Sequence, residues 1–275
     1  MNPTDKFLHV LAALQKAGLQ PLVMGGHAVR YYGVDRNTLD FDFHLSVESA
    51  AALEKQLLTT GLFPNGLVEG PSWRKEDFRR FQIGTLPDGR EEWLEFWLHN
   101  HLLDSFPELW RRREDAVFGD ITASFLSLPD LIHSKETERE SDWQDVALLE
   151  EILDLRRLAQ AREDSSSLAA LSGLRSRRGF ERALAAGLFA DSTVVRQALH
   201  QAGCLISQAY LLPFAPDAER PAILNETGSN TLNEPLRHVA PGSARHFALV
   251  EAARRFHKQA ASAADRADKE KHLKR

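Results

Sequence analysis

The sequence predicts an α/β fold in which a mixed sheet is flanked by helices, followed by a C-terminal helical domain. Three observations carry this expectation. Helix-period and strand-period segments alternate through the first hundred residues, two alternating runs meet at Pro87-Asp88-Gly89, and beyond Asp164 only helical spacing remains.

Taken in order, helical spacing begins after Thr4, a suitable N-cap, and stops at Gly18. The short apolar run "PLVMGG" predicts a strand. After the glycines, "HAVRYYG" fits about two helical turns ending at Gly33, and "DFDFHLS" then alternates as a strand. Ser46 is placed to cap a helix over "VESAAALEKQLLTTG", which closes at Gly61.

From Phe78 to Leu98 the two alternating runs around "PDG" give a strong hairpin signal. In the second run Leu94, Phe96 and Leu98 share one face, and Glu91, Trp93, Glu95 and Trp97 share the other. A helix over "SFPELWRRRED" and a mostly apolar segment, "AVFGDITASFLSL", follow. Ser127 and Asp130 form a variant of the capping box, and the text from there to Gln160 reads as one broken helix or two consecutive ones.

The Ala- and Leu-rich remainder predicts helices over "SLAALSGLRSRRGFERALAAG" and "STVVRQALHQAGCLISQAYLL". A long irregular connection, residues 213–243, holds five prolines with several Asn and Gly. The end is a helix running into a charged tail with eight Lys and Arg against three Asp and Glu from Arg254 onward. A frayed polar helix is the simpler reading of that tail. The expected division is 1–160 and 161–275.

Composition bounds the function. With 275 residues and 43% hydrophobic content the chain can fill a real core. Cys204 is the sole cysteine, which excludes an internal disulfide and a multi-cysteine zinc site and fits a reducing, cytoplasmic compartment. No stretch approaches the roughly 18 apolar residues of a membrane span. A net charge of −5 supplies no general attraction to nucleic acid.

The chemistry concentrates between Val23 and Ser46. Alternation of Phe41, Phe43 and Leu45 with Asp40, Asp42 and His44 puts both aspartates on one strand face, roughly 7 Å apart. Two like charges that close repel, and partial burial adds a desolvation cost that a cation would relieve. Gly25 and Gly26 permit a tight turn and leave backbone N–H groups open to a phosphate. Hard oxygen ligands suit Mg²⁺, with Mn²⁺ as the alternative, and Glu95 on the neighbouring strand is the best-placed third carboxylate.

These residues resemble the nucleotidyltransferases of the DNA polymerase β superfamily. Their signature appears as Met24-Gly25-Gly26, thirteen residues, then Asp40-Phe41-Asp42-Phe43. The Arg36-x-Thr38-x-Asp40-x-Asp42 form is similar to the stand-alone bacterial branch that includes abortive-infection and toxin-antitoxin enzymes. Leu131, Lys135, Arg139, Asp142 and Asp145 match a later helix motif of that branch. The resemblance spans Leu22 to about Leu158.

The resemblance implies a nucleotidyltransferase-type sheet in residues 1–160. It makes Asp40 and Asp42 metal ligands, with Glu95 as the third by its strand position where the family pattern has an Asp, and Gly25, Gly26, Arg36, Thr38 and Lys135 the nucleotide-binding residues. Asp142 or Asp145 would orient the attacking hydroxyl or hold Lys135. The reaction implied is transfer of a nucleoside monophosphate from an NTP to a hydroxyl acceptor, an RNA 3′ end or a protein being favoured, with an antitoxin protein as a partner and no membrane.

Other readings compete for the same residues. Asp-x-Asp also binds metal-nucleotides in glycosyltransferases, and such folds serve as non-catalytic nucleotide- or partner-binding modules. Lys135 can equally pair on a solvated helix. The triplet His99-Asn100-His101 lacks the companion residues of a nuclease motif. Trp93, Trp97 and Trp110 read as packing residues, and Arg111 to Arg113 cannot share one helix face.

Overall fold

The computed structural model of the chain describes residues 3–72, 74–163, 167–222 and 244–274. It divides into two compact units, Met1–Lys135 with Ala264–Arg275, and Glu136–Ala263. All the strands among the described residues fall in the first.

In the first unit α1 (Pro3–Lys16) leads into β1 (Leu22–Val23), α2 (Gly25–Tyr31) and β2 (Phe41–His44). The helix α1 already includes Thr4, with Pro3 at its start, where a missing N–H costs nothing. The glycines are the opening residues of α2 and do not precede it, because the chain turns into the helix directly from Met24. A 3₁₀ segment (Val47–Ala52) precedes α3 (Leu53–Thr59), and Ser46 Oγ meets Ser49 Oγ at 3.1 Å instead of capping the backbone.

The hairpin forms as β3 (Phe78–Thr85) and β4 (Glu91–Trp97), followed by α4 (Phe106–Arg112). The segment after α4 is a second hairpin, β5 (Glu114–Phe118) and β6 (Ile121–Phe125). Gly119, at φ +61°, makes its two-residue turn with Asp120. A two-residue Gly-Asp loop is the signal that identifies this hairpin. The unit's helix α5 (Leu128–Ser134) then carries Lys135 as its C-cap.

The six strands form one mixed sheet in the order β3-β4-β2-β1-β6-β5. Parallel pairs are β2 with β4 and β1 with β6, and the rest are antiparallel. Phe41 and Phe43 lie on the apolar face, where His27 of α2 stacks between Phe7 of α1 (4.5 Å between ring centroids) and Phe41 (5.0 Å). Leu11, Leu22, Leu45, Phe81, Leu94, Phe96 and Phe125 are buried with them.

The second unit is helical in every described element. Its helices are α6 (Glu140–Glu163), α7 (Ser167–Ser172), α8 (Arg177–Ala185), α9 (Ser192–Gln201) and α10 (Leu205–Leu211), and a long α11 (Ala244–Leu273) contributes its residues up to Ala263. Thus α5 and α6 are two consecutive helices. Leu171, Leu174, Phe180, Ile206 and Tyr210 anchor the core. Beneath them Asp154 accepts hydrogen bonds from the Ser176 N–H and hydroxyl, both at 2.7 Å, and the fully buried Glu150 pairs with Arg175 and Arg254. Residues 223–243, most of the Pro-, Gly- and Asn-rich connection, lie outside the described residues. No helix among the described residues is long and apolar enough to cross a membrane.

Candidate active site

The parallel pairing of β2 with β4 sets Asp42 beside Glu95 as register partners. Asp40 lies one residue before β2 and accepts a hydrogen bond from the Trp93 N–H on β4. All three carboxylates are partly buried. Desolvation and the charge on Asp42 raise the Asp40 carboxyl above its ordinary range. Glu95 is pushed up to about 8 by burial, then by Asp42 and Asp40; Arg80 opposes this, and a hydrogen bond with Asp42 favours the protonated form.

The two glycines are held to this cluster by shape. Gly25 sits at φ +59°, and a methyl group on it would lie 2.6 Å from Asp42 Cβ and closer still to the carboxylate. A methyl on Gly26 would lie 2.5 Å from Thr38 Cβ. The space left by both missing side chains is thus filled by Asp42 and Thr38, a role for the glycines that spacing alone does not reveal. Thr38 Oγ1 also donates to the Asp40 carbonyl at 3.4 Å. Arg36 Nε reaches the Asn37 carbonyl at 3.5 Å, on the segment leading into the strand.

Asp40, Asp42, Glu95, Gly25, Gly26 and Thr38 therefore come together in the first unit. Lys135 belongs to the same unit and is buried at the end of α5, whose N-cap Ser127 accepts from the Asp130 N–H. Asp142 belongs to the second unit. There its carboxylate accepts from Thr137 Oγ1 at 2.6 Å and from Arg139 Nε at 2.7 Å, so Arg139 and Asp142 of the sequence motif form an ion pair with each other. Asp145 is buried on the same helix.

Two residues absent from the predicted site border the carboxylates. Arg80 on β3 is the register partner of Glu95, with its Nε 3.7 Å from Glu95 Oε1. Its guanidinium lies 3.9 Å from the Trp93 ring centroid. Trp93 is therefore part of the site's wall as well as a packing residue.

Among the described residues, no group of three or more His, Cys, Asp or Glu side chains already converges to hold a metal ion. Burial and mutual repulsion nevertheless leave two of the three carboxylates, Asp40 and Glu95, resisting ionisation, and hard oxygen donors are the chemistry a divalent cation takes. Comparison with known proteins returns no match, from protein-family models or from curated sequences.

Proposed function

We propose that the sheet-bearing unit is a metal-dependent nucleotidyltransferase of the DNA polymerase β type, moving a nucleoside monophosphate from an NTP to a hydroxyl acceptor. The observation that carries this reading is the seating of Asp42 against Gly25 on one side and Glu95 on the other. A glycine turn, an Asp-x-Asp strand and a neighbouring acid then share one small volume.

Asp40 and Asp42, with Glu95, would hold Mg²⁺ or Mn²⁺, which when bound supplies positive charge against the phosphates. The backbone at Gly25 and Gly26 would face the triphosphate, with Thr38 and Arg36 on the adjoining segment. Lys135 would offset phosphate charge. Asp142, already engaged by Arg139 and Thr137, is assigned a structural role in this reading. In the reaction the acceptor oxygen bonds to the α-phosphorus, the bond from that phosphorus to the oxygen bridging to the β-phosphate breaks, and pyrophosphate leaves with its electron pair. The hydroxyl proton passes to solvent.

An RNA 3′ end or a protein hydroxyl is the acceptor proposed, and an antitoxin the partner, both by analogy with the enzymes the motifs resemble. The test is label transfer from each α-³²P-NTP with Mg²⁺ into total RNA, total protein and the protein itself, beside an Asp40→Ala/Asp42→Ala control. Labelling that requires both aspartates is expected. Nucleotide binding without label in any lane would overturn transfer to RNA or protein.

A further inference from the structure

Arg80 reaches the carboxylate cluster because of an irregularity in its strand. The pairing of β3 with β4 shifts register between Gln82 and Gly84, leaving Ile83 as an extra residue. Without that shift Phe81 would lie opposite Glu95; with it, Arg80 does. The guanidinium is then held flat against Trp93, 3.9 Å from the ring centroid. Gly70 backs this arrangement, since a methyl there would lie 2.6 Å from the indole and 3.0 Å from Arg80 Cγ.

The guanidinium is within ion-pair range of Glu95 and acts on the charge of Asp40, but its contact with Glu95 is a loose one. Among the described residues Arg80 Nε makes no hydrogen bond, and its separation from Glu95 Oε1, 3.7 Å, exceeds hydrogen-bond reach. The stacked face leaves the edge of the guanidinium as its donor surface. A rigid planar fork of N–H donors matches a phosphate better than a single ammonium does.

We propose that Arg80 is a phosphate-binding residue of this site, gripping the polyphosphate chain of the incoming NTP from the Trp93 platform. This rests on the nucleotidyltransferase reading. It adds a residue, and the reason the hairpin carries a bulge.

The experiment is calorimetric titration of Mg²⁺-ATP, -GTP, -CTP and -UTP, and of the matching monophosphates, into wild type, Arg80→Gln, Arg80→Lys and Arg90→Gln. The last removes one charge from the exposed hairpin end, where the Arg90 side chain pairs with Asp88. Wild type is expected to prefer a triphosphate over its monophosphate. Arg80→Gln should cut that preference about tenfold, the loss of one charge-assisted hydrogen bond. Arg80→Lys should restore part of it, and Arg90→Gln should leave it unchanged.

A preference unchanged in folded Arg80→Gln overturns the Arg80 assignment and leaves the wider reading standing. If that variant does not fold, Arg80→Lys decides, and a wild-type ratio in it has the same meaning. Wild type that binds no NTP in an Asp40- and Asp42-dependent manner overturns both.

Discussion

Asp42 and Glu95 stand side by side on parallel strands, hydrogen-bonded to each other although both are acids. Such a bond requires a proton between them, and Glu95 is the one positioned to keep it. A strand pair built on this contact gives up stability whenever the proton is lost.

That loss has a definite pH window. Glu95 in the folded chain holds its proton to about pH 8, against an ordinary value of 4.5. The folded state binds the extra proton between those values, so stability falls as pH rises through them. Glu95→Gln removes the dependence. Denaturant melts of metal-free protein at pH 5.5 and 8.5 should show the variant gaining on wild type at the higher pH.

Acid should destabilise the same unit by a separate route. His27 and His44 are buried, and burial lowers both from 6.5 to about 4. The neutral forms are the folded ones, so stability present above pH 6.5 drains away as pH falls towards 4. Among the described residues His27 Nε2 makes no hydrogen bond, and the ring stacks between two phenylalanines. His27→Phe should therefore fold, and should lose part of the acid sensitivity that thermal melts at pH 4.5 and 7 reveal in wild type.

Gly25→Ala and Gly33→Ala form a matched pair. Both glycines have positive φ, +59° and +97°, and a side chain at either incurs about 1–2 kcal/mol of backbone strain. A methyl at Gly33 meets nothing within 4 Å, whereas one at Gly25 displaces Asp42. Both variants should melt lower, but only Gly25→Ala should lose Mg²⁺-dependent NTP binding in titration calorimetry. Equal binding losses would count against the seating of Asp42 as the functional feature.

Ser127→Ala tests the cap that sets α5. The serine oxygen receives the Asp130 N–H at 3.3 Å. Its removal should destabilise the chain by about 1 kcal/mol in chemical denaturation.

Much of the first unit was legible from periodicity and turn chemistry. The Asp-x-Asp strand, the hairpin at Pro87-Asp88-Gly89 and the capping of α5 follow from alternation, a tight turn and a serine three residues before an acid. The hairpin β5–β6 escaped because its apolar run hides the alternation, although Gly119-Asp120 marks the turn. The register of Arg80 could not be read at all, since a bulge is a one-residue choice made by packing on both faces. The glycines were legible as a turn, but their contact with Asp42 and Thr38 depends on which strands become neighbours. Residue pairs drawn together by sheet order leave no local pattern.

The division of the chain has a consequence for how it is made. Residues 136–263 form one unit, and the stretches before and after them form the other, so the helical unit is an insertion within the sheet unit. Asp265 and Asp268, which approach His101 at 3.9 Å, are translated after the whole of that insertion. On the ribosome all six strands emerge first, yet their unit is completed only after residues 264–275, while the unit begun second is finished earlier. Nascent sheet and finished helices therefore coexist until residues 264–275 appear.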